Sequence, residues 1–322
     1  MTPDGYRPHP LIRGPHLETV VPALWPAPRL GSAVEPLVVP VDEGTAVRVD
    51  LSRPAGRARG TLLLLHGMGG SAASRYMIRT AREALARGWA VARMNMRNCG
   101  GTEALSRTLY NAGQSDDADR VLADLERAGL PAPFAAAGFS LGGNTLLRYA
   151  GTSGAGCRAA GLVAVNPPID LDACCRALER RDNAIYQAHF TRLLCRQVER
   201  VRRVRPLPGP PASPWRIGGI RRFDALFTAP DAGHPSPEAY YAHASAGPHL
   251  AAIRVPALVL SARNDPFVPV EMYDPHRSAR PGAVRFHLPR RGGHVGFFQL
   301  GRPRFWAARA ILDWLEGALP RG

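Results

Sequence analysis

A chain of 322 residues, 45% hydrophobic and 21% charged, has enough apolar surface to bury a large core. That excludes a disordered chain and leaves one large α/β domain with an insertion or two smaller domains. The formal net charge is +15, from 41 basic against 26 acidic residues, and every basic residue is arginine because lysine is absent. With Ala, Gly and Pro abundant, this balance reads first as coding bias and second as attraction to anionic surfaces and acidic substrates. No RNP motif, zinc finger or basic zipper accompanies it, so no nucleic-acid partner is expected.

The chain opens on "MTPDGYRPHPLIRGPHLETVVPALWPAP", broken by proline and without the charged-then-apolar order of a signal peptide, and no later apolar run approaches membrane-spanning length. The five cysteines, Cys99, Cys157, Cys174, Cys175 and Cys195, are odd in number and lack metal-ligand spacing, so they read as thiols in a reducing compartment. The expectation is a cytoplasmic protein without metal or cofactor, with peripheral membrane contact left open. Next, "PLVVPV" and "TAVRVDL" predict an antiparallel pair around Asp42-Glu43-Gly44. Short apolar runs then alternate with helical patterns, as a parallel sheet covered by helices requires. "GTLLLLHG" precedes a helix over 71–87; "GWAVARMN" precedes one opening at Ser115, with Asp116 and Asp117 in its first turn, where capping and the helix dipole explain them. "FAAAGFS" precedes a helix after Ser140; "GLVAVNPP", "VPALVLSA" and "AVRFHLP" are further strands, and a helix over 305–319 closes the chain. Seven or eight strands fit one doubly wound domain made of 1–169 and 249–322. The interval 170–248 breaks the rhythm, carries the proline cluster "RPLPGPPASPW", and is expected to fold over the sheet as a helical cap.

In open α/β sheets ligands bind beyond the carboxyl ends of the strands. The stretch "AAAGFSLGGNTLLRYAG" sets Ser140 between Gly138 and Gly142 at such an end. So tight a strand-to-helix turn forces its central residue to positive φ and tolerates only small neighbours two positions away, which is how a nucleophile is held exposed. A Gly/Ser-rich turn would spell the same letters without function. Two more strand ends follow, Asp265 in "VLSARNDPFVP" and His294 in "RRGGHVGFF", giving nucleophile, acid and histidine in that chain order. Asp265 could instead start a turn and His294 line a surface loop. His66, ending "LLLLHG", is the rival histidine, read as a brace for its loop, and Arg97, Asn98 and Cys99 either line the pocket or brace theirs.

Nearly the whole chain resembles the YheT-type α/β-hydrolases, through "HPLIRGPHLETVVPAL", "HGMGGSAASRY", "NMRNCGGT", "LYNAGQSDD", "GFSLGGNTLLRY", "VNPPIDL", "FDALFTAP", "AYYAHAS", "VLSARNDPFVP" and "RRGGHVGFF". Relatives often read "HGLTG" where this chain has "HGMGG", a change at Met68 and Gly69 that alters the pocket wall. The resemblance implies an α/β-hydrolase fold: a doubly wound, mostly parallel sheet with helices on both faces and a cap. It also implies a serine hydrolase acting on small-molecule or lipid esters of apolar acyl groups. His294 would take the Ser140 proton, Asp265 would hold the imidazole, and the backbone N–H groups of Met68 and Leu141 would receive the oxyanion. An acyltransferase with the same triad, or a non-catalytic binding protein on the same fold, are the alternatives.

Within the expected cap, "FTRLLCRQVERVRRV" puts Phe190, Leu194, Val198, Val201 and Val204 on one helical face and Arg192, Arg196, Arg200 and Arg203 on the other. One reading is a cap helix packed on the domain below with a solvated outer face. The other has the apolar face lining an acyl pocket and the basic face meeting anionic lipid. His66, Phe139, Leu194 and Val198 are the residues expected to touch substrate.

Overall fold

Eight strands form a single sheet: β1 (Glu35–Asp42), β2 (Thr45–Ser52), β3 (Thr61–Leu65), β4 (Ala90–Met94), β5 (Phe134–Phe139), β6 (Gly161–Val165), β7 (Ala257–Leu260) and β8 (Val284–His287), in the order β1-β2-β4-β3-β5-β6-β7-β8. β1 pairs antiparallel with β2 and β2 with β4, and every other neighbour is parallel. The structure, a computed structural model, describes residues 5–279 and 282–319.

The strand sequences dictate the layering. Residues of β3, β5, β6 and β7 are buried throughout, and successive side chains point to opposite faces. Leu62, Leu64, Val163, Val165, Leu258 and Leu260 therefore meet α2 (Arg75–Ala86) and α12 (Trp306–Ala318) in one core cluster. Leu63, Leu65, Leu162, Ala164 and Val259 face a second cluster with α3 (Asp116–Arg127) and α4 (Leu141–Ser153).

Between β6 and β7 lie α5 (Leu171–Leu178), α6 (Ala184–Arg202), the short α7 (Pro214–Ile217), α8 (Ile220–Phe223) and α9 (Ala229–Asp231), and α10 (Pro237–Ala244), and α11 (Asp274–Ser278) lies between β7 and β8. The apolar residues between β6 and β7, among them Leu171, Leu194, Val198, Phe227 and Tyr241, join the cluster of the second face. The elements between β6 and β7 thus share a core with the sheet and have no separate one.

Three boundaries differ from the sequence reading for local reasons. The helix expected from Ser71 begins at Arg75, because the Ser71 and Ser74 side chains accept from backbone N–H groups of Ala73 and Ser71 and hold a turn instead. The basic helix ends at Arg202, leaving Val204 51% exposed, so its apolar stripe is Phe190, Leu194, Val198 and Val201. The proline-broken N-terminal stretch contains α1 (Pro15–Leu24), with Pro15 at its first position, where the missing N–H costs nothing, and Pro22 inside. Pro22 leaves the Glu18 carbonyl without its helical donor, and that carbonyl lies against the glycine loop after β8, where a Cβ at Gly293 or Gly296 would collide with it. The paired glycines of "GGHVG" are therefore needed for α1 to dock beside His294.

Candidate active site

Ser140 sits between β5 and α4 at φ 52° and ψ −121°, a conformation an L-residue keeps only when its surroundings impose it. Here they do. A Cβ on Gly138 would run into the Gly142 carbonyl, and one on Gly142 would lie 2.5 Å from the His66 carbonyl oxygen. The turn is pinned to β6 by Ser140 N–H donating to Val165 O at 2.8 Å. Leu141 opens α4, so its N–H is among the first-turn donors without a helical acceptor, at the positive end of the helix dipole.

The loop after β3 offers a second donor by elimination. Gly67 N–H donates to the Tyr76 hydroxyl at 2.9 Å and Gly69 N–H to the Tyr110 hydroxyl at 3.0 Å. Met68 N–H, between them, has no acceptor among the described residues. Met68, Ser140 and Leu141 line one narrow cavity of about 80 Å³, small beside the roughly 300–1,000 Å³ of pockets that take drug-sized ligands.

Asp265 and His294 meet directly. Nδ1–H of His294 donates to Asp265 Oδ2 at 2.7 Å, while Asp265 Oδ1 accepts from the N–H groups of Phe267 and Val268, both at 3.0 Å. With Nδ1 committed, Nε2 is the nitrogen left for a hydroxyl. The Phe267 ring packs 4.2 Å from the His294 ring and lines the same cavity as Ser140.

The other expected substrate contacts divide. Leu194 lines the cavity. Val198 is fully buried one turn further along α6 and does not reach it, so that expectation is corrected. Phe139 is corrected too: strand alternation sends its ring to the opposite face, against Tyr76 at 4.7 Å, in the α2–α12 cluster. His66 is a brace. Its Nδ1–H donates to Gly67 O at 2.8 Å, its Nε2 accepts from Met96 N–H at 3.1 Å, and burial pushes its pKa down to about 4. Both nitrogens are occupied on a neutral ring, so it is neither base nor ligand contact. Arg97, Asn98 and Cys99 are also off the cavity. Arg97 makes a buried bidentate pair with Asp117, at 2.7 and 2.6 Å, which gives Asp117 a partner that capping did not foresee.

Several residues to which the sequence reading gave no role hold the site. Asn166, ending β6 at φ 45°, donates from Nδ2 to Asp265 Oδ2 (2.7 Å) and Gly293 O (3.3 Å) and accepts at Oδ1 from Val295 N–H (3.2 Å). It thereby ties the acid's loop to the histidine's and holds Val295, a β-branched residue, at φ 58°. From α1, Glu18 accepts from Asn264 (2.7 Å), Arg291 (2.5 Å) and Gly292 N–H (2.9 Å), and Thr19 Oγ1 accepts from His294 N–H (2.9 Å). Removing the buried Glu18 carboxylate takes the countercharge from Arg291 and strands the Asn264 and Gly292 donors. Glu18→Ala is therefore expected to destabilise the fold by about 3–5 kcal/mol, read as a lowered denaturant midpoint, whereas a shift under about 1 kcal/mol would show that α1 does not organise these loops.

Burial keeps the two cavity-wall thiols protonated, raising Cys174 well above the usual range and Cys175 to about 11, so neither rivals Ser140 as a nucleophile. Among the described residues no group of three or more His, Cys, Asp or Glu is placed to hold a metal. Ser140 and the residues carrying two candidate backbone donors, Met68 and Leu141, thus share one cavity, and a serine hydroxyl with such donors is what acyl transfer requires.

The alpha/beta hydrolase fold family matches residues 60–299. The chain is 34% identical over 260 residues to YheT of Escherichia coli (strain K12), covering 79% of this chain and 76% of that protein. To the phospholipase ABHD3 of Homo sapiens it is 27% identical over 247 residues, covering 76% of this chain and 60% of that protein. A solved esterase of Pyrococcus furiosus has the same fold, with a TM-score of 0.61 over 92% of this chain and 97% of that one at 15% identity.

Proposed function

The chain belongs to the YheT-type group of the α/β-hydrolase fold family, and from that premise we propose that it hydrolyses carboxylic esters of apolar acyl groups through Ser140, His294 and Asp265. The observation that carries this reading is the strained Ser140 elbow facing a cavity that also presents Met68, beside a His294 ring held by Asp265 at 2.7 Å. His294 Nε2 takes the Ser140 proton as Oγ attacks the ester carbonyl, and Asp265 stabilises the imidazolium that forms. The oxyanion receives the N–H groups of Met68 and Leu141. His294 then protonates the departing alcohol and activates the water that hydrolyses the acyl-enzyme. An acyltransferase would differ only in admitting an alcohol or amine at that last step.

The segment 170–248 acts as a cap over the site. Leu194 and Phe190 of α6, with Leu171, Leu178 and Ile220, supply apolar wall. Each buried methylene contributes about 0.8 kcal/mol, so kcat/KM should rise roughly fourfold per carbon from acetyl upward and level off near hexanoyl, as the small cavity fills. Leu194→Ser should flatten the rise while sparing acetyl esters. Equal rates along an ester series in the unmutated protein would remove the acyl-pocket reading.

The outer face of the cap supports a second, peripheral role on anionic lipid. Arg192, Arg196 and Arg203 border a groove with Trp215, whose side chain is 97% exposed, the pairing of cation and interfacial aromatic that favours anionic membranes. Co-sedimentation with phosphatidylserine vesicles should fall at 0.5 M salt and in the Arg192→Gln/Arg196→Gln/Arg203→Gln variant. Binding indifferent to both would leave this face a solvated surface. Arg200 stands apart, paired with Glu103 at 2.6 Å.

A further inference from the structure

The "FDALFTAP" motif, which neither nucleophile nor acid explains, folds as a π-helical turn over Asp224–Thr228 between α8 and α9. Such turns are frequent at functional sites, and this one borders the candidate site. It places both Asp224 and Thr228 in the wall of the cavity that holds Ser140.

Asp224 is a buried carboxylate with no salt bridge among the described residues. The nearby Arg221 is paired with Asp172, Glu179 and Glu238. Tyr241 donates to Asp224 Oδ2 at 2.7 Å and Thr228 lines the cavity with it, while an ionised carboxylate offers about four acceptor sites. Two further tyrosines line the same cavity. Tyr240 OH accepts from Ala112 N–H and Tyr110 OH from Gly69 N–H, both at 3.0 Å, so each keeps its own proton to give. Burial pushes the Asp224 carboxyl up to about 6. A carboxylate held in an apolar wall without a cation is costly unless something hydrogen-bonds it, and such groups in clefts mark functional sites.

We propose that Asp224, with Thr228, Tyr110 and Tyr240, is a polar subsite that binds an aliphatic hydroxyl of the ester substrate, so that hydroxylated esters are the preferred class. The wall is then divided in purpose: leucine, isoleucine and phenylalanine take the hydrocarbon, and the acceptor–donor cluster takes the hydroxyl. A plain alkyl chain reaching Asp224 would strip it of water and return no hydrogen bond. The hydroxyl can reside on the acyl chain or on the alcohol portion. The inference rests on the ester-hydrolase reading for its substrate, and the test below separates the two.

Two matched pairs carry the test: ethyl 3-hydroxybutanoate against ethyl butanoate, and glycerol monobutanoate against propyl butanoate. In one pair the hydroxylated member should show a kcat/KM at least about tenfold higher, as expected for a hydrogen bond to a charged group. The pair that shows it identifies which side of the ester carries the hydroxyl. Asp224→Leu combined with Tyr241→Phe removes both partners of the internal bond, so neither is left stranded, and should bring the ratio to about one while turnover of the plain ester persists. A ratio near one in both pairs for the unmutated protein, or one that survives the double variant, overturns the subsite. The same four esters titrated calorimetrically into Ser140→Ala report the ratio without turnover. Selective binding with no hydrolysis by the unmutated protein would therefore defeat the hydrolase reading and leave the subsite standing.

Discussion

Ser140→Ala is expected to lower kcat/KM for a butanoyl ester by at least about 10⁴-fold, with the fold intact. Removing the nucleophile of such a constellation leaves only what donors and binding supply to an attacking water. Neither cavity-wall thiol can substitute, since Cys174 and Cys175 are held protonated by burial. Alanine keeps the Cβ that already sits in the elbow, so the turn between Gly138 and Gly142 has no new collision to absorb. A thermal midpoint within a few degrees of the unmutated protein, beside the lost activity, is the expected pair of results. Residual turnover above about 1% would place the chemistry elsewhere.

Asp265→Asn is expected to cost about 10⁴-fold in kcat, by imposing the wrong imidazole tautomer. The surroundings fix which way the new amide turns. Phe267 and Val268 N–H groups need an acceptor at the Oδ1 position, so the amide NH₂ must occupy the Oδ2 position, where it faces the His294 nitrogen and the Asn166 NH₂. Two donors would then confront it, and the His294 conflict is relieved only if the ring gives up the proton on Nδ1 and carries it on Nε2, where it can no longer accept from Ser140. Other acids nearby are committed: Asp170 caps α5 by accepting from Ala173 N–H at 2.9 Å, and Asp172 pairs with Arg221 at 2.7 Å. Steady-state kinetics showing a loss below about tenfold would exclude Asp265 as the orienting acid.

What was legible in the sequence follows the range of the forces involved. Strand alternation and the short apolar runs are local, and all eight strands lie where the runs place them, with the expected antiparallel pair at β1–β2. The elbow was legible because backbone crowding at Gly138 and Gly142 is a matter of two residues on either side. Phe139 was misplaced for a reason equally local: in a strand buried on both faces, composition does not say which face a side chain takes. Val198 and Leu194 share a helical face, yet of the two only Leu194 lines the cavity, because a shared face does not say which turn of the helix lies over the site. Glu18, Thr19 and Asn166 were visible only as letters in the motifs "HPLIRGPHLETVVPAL" and "VNPPIDL", without a role. They act across sequence separations of 246 to 275 residues and 99 to 129 residues respectively, and a proline-broken N-terminal stretch gives no hint that it will dock on a loop near the other end of the chain. Asp224 was visible only as a letter in a motif, since its placement in the cavity is set by tertiary packing of the segment between α8 and α9.

The most direct test of the account is the site of covalent labelling by a fluorophosphonate, which reacts with a serine only when a neighbouring base activates it. Incubation of the intact protein followed by peptide mapping should place the adduct on Ser140 alone, in the peptide containing "GFSLGG", and labelling should disappear in Ser140→Ala and slow severely in Asp265→Asn. An adduct on any other serine, or labelling that persists in Ser140→Ala, would contradict it.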